Sequence, residues 1–408
     1  MLKILVKENA YYDSITLMLI SQKIEKEKGI ENVLVGMGTD TNKALLKDLN
    51  MDNSQTNKAT VNDLIIAIKG EPQKIENSLK IIDEQLNQTT KCSDLKSQPY
   101  SIESALQFQP DSNMTVISTA GEYAAIEARK ALEKNMHVML FSDNVSLEKE
   151  IELKKYALEK NLLMMGPDCG TAIINGIGLG FVNSVKKGNI GIVGASGTGS
   201  QEVSSIISNL GGGISQLIGT GGRDVKEQVG GIMFLKALEY LINDKQTEII
   251  VLVSKPPAQS VIDKTLALLN NSAKHSVIHF INGEAKGDNK RIFVGKSLED
   301  TAVKAVLLAQ NKLEKIDIYD FFHVSQEKFV YEEALKKEMV KCQKTGKYIR
   351  GLFSGGTLAD EAIILLSEYF NEIWSNTPID PKYKLKNSQN SYKNTIIDMG
   401  EDEFTQGR

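Results

Sequence analysis

"GNIGIVGASGTGSQEV", residues 188–203, decides how this chain is read. An apolar run (Ile190, Ile192, Val193) enters a Gly/Ser/Thr turn, and a helix-like segment follows. Such a strand-turn-helix unit builds an anion cradle, because the first turn of a helix leaves free N–H groups and a partial positive charge. Two nucleotide motifs fail here. Gly194 and Gly199 have the P-loop spacing, but the lysine position holds Ser200 and the next residue is Gln201. Gly197 and Gly199 begin a dinucleotide fingerprint, but its last position is Glu202. The plain alternative is a tight turn without a ligand; the surrounding sequence argues for the cradle.

The chain has 408 residues, 41% hydrophobic and 25% charged. That length holds more than one core, about three or four domains. A net charge of −4 implies no basic face for nucleic acid. The three cysteines, Cys92, Cys169 and Cys342, lie far apart without a C-x-x-C, which fits a reducing cytoplasmic location and excludes a zinc ribbon. The start, "MLKILVKENAYY", is too short and too charged for a signal peptide. No apolar run of about 18 residues predicts a membrane span.

Residues 1–90 read strand, helix, strand, helix, strand, helix, a small α/β sandwich. The strands are "KILVK", "VLVGM" and "DLIIAIKG". The first helix spans 13–28, with apolar positions Ile15, Leu17, Met18, Leu19 and Ile24 and a stop at Gly29; Pro72 opens another. Residues 88–104 are polar and read as a linker. From 115 the rhythm is strictly βαβ: "TVISTA", "EYAAIEARKALEKN", "HVMLFS", "LEKEIELKKYALEKN", "LLMMGPDCG". Near-continuous apolar strands between amphipathic helices predict a parallel sheet covered on both faces. A third block runs from 189 through "GISQLIGTGG", a helix over 228–243, "EIIVLVS", a helix over 258–271, "HSVIHFING" and a helix from Leu298.

A fourth block, "YIRGLFSGGTLADEAIILLSEYF", repeats the opening pattern: strand, Ser354-Gly355-Gly356-Thr357, helix. Two cradle turns, each heading its own α/β unit, suggest two helix N-termini aimed at one anion. The sequence stops just after the apparent strand "NTIIDMG". A doubly wound domain would take roughly 50 to 100 more residues to close, so the block is expected to be cut off or completed by another chain.

"GPDCGTAIINGIG", "KKGNIGIVGASGTGSQEV" and "LIGTGGRDV" resemble the α subunit of succinyl-CoA synthetase and the NDP-forming acyl-CoA synthetases. The closer resemblance is to the FdrA branch, on "YYDSITLMLISQK", "VGMGT", "GEYAAIEA", "GPDCGTAI", "GASGTGSQEV", "YIRGLFSGGTL" and "IIDMGEDEFTQGR". It covers essentially the whole chain. It implies a multidomain α/β fold: a small ferredoxin-like domain over 1–100, a Rossmann-like CoA-binding-type domain over 101–185, a flavodoxin-like domain over 186–325, and the start of a second over 326–408. FdrA-type proteins usually continue past the last motif. In the synthetases two helix N-termini point at a phosphorylated histidine. The matching positions here are Ser196, Gly197 and Thr198, facing Gly355, Gly356 and Thr357. "GTGGRD" (Gly221, Gly222, Arg223) matches the loop beside the phosphate, and Arg223 is a candidate clamp for an oxyanion or carboxylate.

The chain departs from the synthetases at the nucleophile. Their histidine lies in a loop that here reads "GEAKGDNKRIF". Their supporting acid ends a strand that here reads "VLVSKPP", with Lys255 and Pro256. His137, His275, His279 and His323 offer no substitute: His275 and His279 flank or lie in a strand and read as packing. None has ligand-spaced neighbours, so no metal site is expected. Cys169 sits in a Gly-Pro-Asp-Cys-Gly turn without a base and reads as structural, at most bordering the site. Asp398 and Gly400 border it or mark a plain strand end. "STAGEYAA" has a single glycine where the synthetases open their CoA-binding domain with a Gly-rich turn, so the sequence requires no cofactor and leaves CoA or nucleotide open.

These readings fit phosphate, or an acyl phosphate, meeting its acceptor directly. The resemblance implies a component of an oxamate carbamoyltransferase, a cytoplasmic enzyme of ureide (purine and allantoin) breakdown that splits oxalurate with phosphate. Thr198 and Arg223 are then the catalytic candidates, and partner subunits of an oligomer complete the site. The alternatives are an NDP-forming acyl-CoA synthetase and a non-catalytic scaffold or regulatory subunit. The small N-terminal domain, which resembles ligand-sensing modules, suits the last.

Overall fold

Leu64–Gly70 is buried along nearly its whole length because both faces of its sheet are covered. A computed structural model describes residues 1–8, 10, 12, 14–90, 99–283, 285–288, 290–312, 326–341 and 346–405. It forms two compact units, with main spans Met1–Pro99 and Tyr100–Phe404. The first runs β1 (Leu2–Lys7), α1 (Ser14–Glu25), β2 (Ile30–Met37), α2 (Asp40–Asp48), α3 (Ser54–Lys58), β3 (Leu64–Gly70) and α4 (Pro72–Thr90). β3 pairs antiparallel with β1 on one side and β2 on the other. Strand side chains alternate between faces. Leu64, Ile66 and Ile68 pack on Leu17, Ile20, Ile24, Ile75 and Ile82. Ile65 and Ala67 pack on Leu46, Met51 and Ala59.

The stripe on α1 is therefore Leu17, Ile20 and Ile24, at helical spacing. Met18 and Leu19, read from the sequence as part of it, are 52% and 58% exposed. Residues 88–90 and 102–104, read as linker, are helical; 91–98, with Cys92, lie outside the described residues.

The second unit opens with α5 (Ile102–Phe108), β4 (Met114–Ile117), α6 (Gly121–Glu133), β5 (His137–Leu140), α7 (Leu147–Glu159) and β6 (Met164–Met165). β4, β5 and β6 form a parallel sheet. Then come β7 (Thr171–Ile174), β8 (Ile177–Gly180), β9 (Lys187–Ala195), α8 (Gly197–Asn209), β10 (Ile214–Gly219), α9 (Ile232–Asn243), β11 (Ile249–Ser254), α10 (Gln259–Asn270), β12 (His275–Phe280), β13 (Ile292–Val294) and α11 (Leu298–Ala309). Their sheet has the order β13-β12-β11-β9-β10-β7-β8. Ile190 and Ile192 of β9 face Val203 and Ile207 of α8, while Val193 and Ala195 face Phe234 of α9. This is the multidomain α/β architecture expected, with covered parallel strands. β9 lies between β10 and β11, so the chain reverses direction across the sheet there. In open α/β sheets, ligands bind outside the carboxyl ends of the strands at that switch point.

Residues 171–180, to which the sequence reading assigns no element, form an antiparallel hairpin laid on β10. Two local readings change. The helix expected from 228 begins at Ile232, because Gly230 and Gly231 take left-handed φ values of 75° and 73°. The "GEAKGDNKRIF" loop carries the edge strand β13, started by Asp288, whose carboxylate accepts from the N–H groups of Lys290, Arg291 and Ile292 at 2.8–2.9 Å.

The fourth block follows α12 (Gln326–Lys341): β14 (Arg350–Phe353), α13 (Gly356–Ser367), β15 (Ile373–Ser375) and β16 (Asn394–Asp398), in a parallel sheet of order β14-β16-β15. His323 and Cys342 lie outside the described residues. Among the described residues no helix is long and apolar enough to cross a membrane.

Candidate anion site between two helix N-termini

β9 ends at Ala195, and Ser196 caps α8: its Oγ accepts the Gly199 N–H at 3.1 Å. The same Oγ lies 2.5 Å from Thr357 Oγ1, in the first turn of α13. Both side chains are buried. The two turns thus meet directly. A Cβ on Gly355 would fall 2.7 Å from Thr198 Cγ2, and one on Gly199 would fall 2.8 Å from Ser196 Oγ and 3.0 Å from Thr357 Cγ2. Only glycine permits this approach. Gly197 and Ser354 are exposed and Thr198 is half-buried, so the mouth of the site is open.

The loop Thr220–Arg223 runs beside the first turn, and the Thr220 N–H donates to Gly194 O at 2.9 Å. Gly221 takes φ +83° against Pro167 O, and Gly222 lies next to the Ala195 carbonyl. The loop is anchored by a buried charge network. Lys154, on α7, donates to Glu150 Oε1 at 2.7 Å, Asp224 Oδ1 at 2.7 Å and Thr220 O at 3.0 Å. Asp224 also accepts the Phe234 N–H at 2.6 Å. Arg223 is half exposed, but one edge of its guanidinium is used: Nε pairs with Glu150 Oε2 at 2.9 Å and Nη2 donates to Val145 O at 2.7 Å.

Asp398 is buried at the end of β16, where its Oδ1 accepts the Gly400 N–H at 2.8 Å. Its Oδ2 lies 2.8 Å from where a Gly356 Cβ would stand. Cys169 is elsewhere. Its thiol is buried, contacts Gly219 O at 3.4 Å, and burial pushes it up to about 12. Such a thiol is no nucleophile. His279 is buried with Nδ1 3.1 Å from Gly295 O, and burial pushes its ring down. Nδ1 of His137 accepts the Leu163 N–H at 2.9 Å, and burial lowers this ring too. Among the described residues no cluster of His, Cys, Asp or Glu is placed to hold a metal.

Sequence reasoning missed one group of charges. Lys255, following β11, has Nζ 3.9 Å from Asp360 Oδ2 on α13 and packs on Gly356. Lys226 donates to Pro256 O at 2.9 Å. Burial, then the Lys255 charge, push the Lys226 ammonium down. Burial likewise raises the Asp360 carboxyl, against the pull of Lys255. The signal was the lysine standing at a strand end where the resemblance expects an acid.

The Escherichia coli (strain K12) protein YahF, described as uncharacterized, is 44% identical over all 408 residues, which span 78% of its length. This chain belongs to the YahF family. Residues 1–100 match the family described as "AllF, heavy metal-associated domain", and residues 185–281 the family described as "CoA binding domain". The second match falls on the β9–β12 block. In the first matched span the described residues hold no cysteine and no histidine, the donors a soft metal prefers, and Cys92 lies outside the described residues. The succinate–CoA ligase [ADP-forming] subunit alpha 2 of Archaeoglobus fulgidus is 28% identical over 36% of this chain, which spans about half (51%) of that relative. Among solved structures, the ATP citrate lyase of Methanothrix soehngenii, in complex with citrate and coenzyme A, aligns over 53% of this chain and 41% of its own, with a TM-score of 0.43 and 15% identity.

Proposed function

We propose that this chain binds phosphate or an acyl phosphate between the N-termini of α8 and α13 and brings it to its acceptor without a phosphohistidine. The observation that carries the reading is the Ser196–Thr357 contact, which joins two helix N-termini at the carboxyl edge of the sheet. Free N–H groups there stabilise an oxyanion. The reaction we assign is carbamoyl transfer. A phosphate oxygen attacks the carbamoyl carbon of oxalurate, the bond from that carbon to the oxamate nitrogen breaks, and the nitrogen takes a proton. Carbamoyl phosphate and oxamate leave. Thr198 and the α8 N–H groups hold the phosphate, and Arg223 meets the oxamate carboxylate. Partner subunits complete the site.

A second reading, an NDP-forming acyl-CoA synthetase, is favoured by the likeness to the CoA-binding family and to a succinate–CoA ligase subunit.

The test is made on the complex drawn from the native host with this chain as bait. Carbamoyl phosphate consumption is followed with and without oxamate, with ATP, CoA and a short acid in parallel. Oxamate-dependent consumption that falls about a hundredfold in Thr198→Val supports carbamoyl transfer. CoA-dependent nucleotide turnover replaces it with the ligase. Silence in both, with a partner bound, leaves a non-catalytic scaffold.

A further inference from the structure

β11 and β9 run parallel in register, with Ser254 opposite Ala195. The next residue on each strand is Lys255 and Ser196, so the lysine leaves the sheet beside the cap of α8. Its Nζ then reaches the other helix. A Cβ on Gly356, the first residue of α13, would overlap Nζ and fall 2.8 Å from Asp398 Oδ2. Asp360 Oδ2 is 3.9 Å away, and Lys226 reaches the same segment through Pro256 O.

This arrangement is uphill for a protein left empty. A cation at a helix N-terminus opposes the helix dipole. A second ammonium nearby adds repulsion. Asp360 and Asp398 balance the two lysines but leave the partial charges of two helix ends uncompensated. An oxyanion placed against the two ammoniums and the helix ends would compensate those positive charges, with Asp360 giving way to it. Lysine suits the task as a compact charge with three donors on a flexible stem. A carboxylate at the same strand end would support a histidine but repel a free phosphate.

We propose that Lys255 binds the phosphoryl oxygens of the small-molecule anion directly, holding by charge a group that the histidine-bearing relatives hold covalently. The proposal rests on the anion-site reading above and names the side chain that makes it work. Lys255 stays protonated and forms no bond to phosphorus. Asp360 is the ion-pair partner that releases it when the anion arrives.

The measurement is inorganic phosphate binding to the full chain by titration calorimetry, for wild type, Lys255→Met, Lys255→Arg, Asp360→Asn and Thr198→Val. Lys255→Met is expected to weaken binding by about ten- to a hundredfold. Lys255→Arg should stay within a few fold of wild type, and Asp360→Asn should tighten binding by freeing the ammonium. The side chain of Lys255 is 37% exposed, so its loss is compatible with folding; circular dichroism checks each variant, and the Arg and Asp360→Asn results stand if the Met variant does not fold. Wild-type affinity in Lys255→Met, with binding lost in Thr198→Val, overturns the role of Lys255 and leaves the anion site intact. No phosphate binding by wild type overturns both.

Discussion

Ser196 and Thr357, 161 residues apart in sequence, share a buried 2.5 Å hydrogen bond that joins the cap of α8 to the first turn of α13. Ser196 Oγ also accepts from the Gly199 N–H, so the pair ties the Thr357 side chain to the backbone of the first turn of α8. We predict that Ser196→Ala and Thr357→Val each cost about 1 kcal/mol of stability. The double variant should cost less than their sum, by about 0.5 kcal/mol or more. Urea titration of the four proteins checks this. Strict additivity would show that the two turns fold independently.

Gly199 is a second probe of that junction. An alanine Cβ there meets Ser196 Oγ at 2.8 Å and both Thr357 Cγ2 and Val253 Cγ1 at 3.0 Å. Val253 belongs to the sheet and cannot retreat. Gly199→Ala should therefore lose about 1–3 kcal/mol and push the α8 N-terminus away from α13. Gly211→Ala is not a fair control, because Gly211 has φ +87°. Ser205→Ala on the same helix is, and it should leave the denaturation midpoint nearly unchanged.

The loop beside the cradle depends on Lys154, whose ammonium is fully buried between Glu150 and Asp224. Removing it strands two carboxylates away from water. Breaking a buried pair from one side costs about 3–5 kcal/mol. Lys154→Met keeps the volume and removes the charge, so its loss isolates the electrostatic effect. A change below about 1 kcal/mol in chemical denaturation would mean that water enters the network.

Which of these features can be read in the sequence follows from how local their causes are. The turn at Ala195–Gly199 is legible because strand, glycines and helix are consecutive. So is its partner at Ser354–Thr357. Their contact is not, since nothing within either segment fixes the distance. The hairpin over 171–180 carried a local signal that went unused: Asn175 and Gly176, at φ 52° and 84°, are an Asn-Gly two-residue turn between apolar runs. Met18 and Leu19 are apolar without being core, which only the helical spacing of Leu17, Ile20 and Ile24 reveals. Lys154 is hidden for a different reason: a lysine on an amphipathic helix normally reads as solvated, and only its tertiary neighbour Asp224 gives it a role. Lys255 stands out in the sequence as a lysine in place of an acid, but its partner Asp360 comes only from the fold.

Cys169 supplies a pH prediction. Burial raises its thiol from an ordinary 9.0 to about 12. In the folded chain it stays protonated up to that pH, whereas the unfolded chain releases the proton above about 9. The thiol's contribution is thus fully present below pH 9 and is lost as pH rises toward 12. Within that window the slope is about 1.4 kcal/mol per pH unit. Lysines and tyrosines titrate in the same range, so the comparison is with Cys169→Ala. That variant should be less stable at pH 7 because of the cavity, and the gap to wild type should narrow between pH 9 and 11. The measurement is the urea midpoint of both proteins at pH 7, 9, 10 and 11. A constant gap would place the Cys169 thiol in contact with water, against its burial between Thr171 and Gly219.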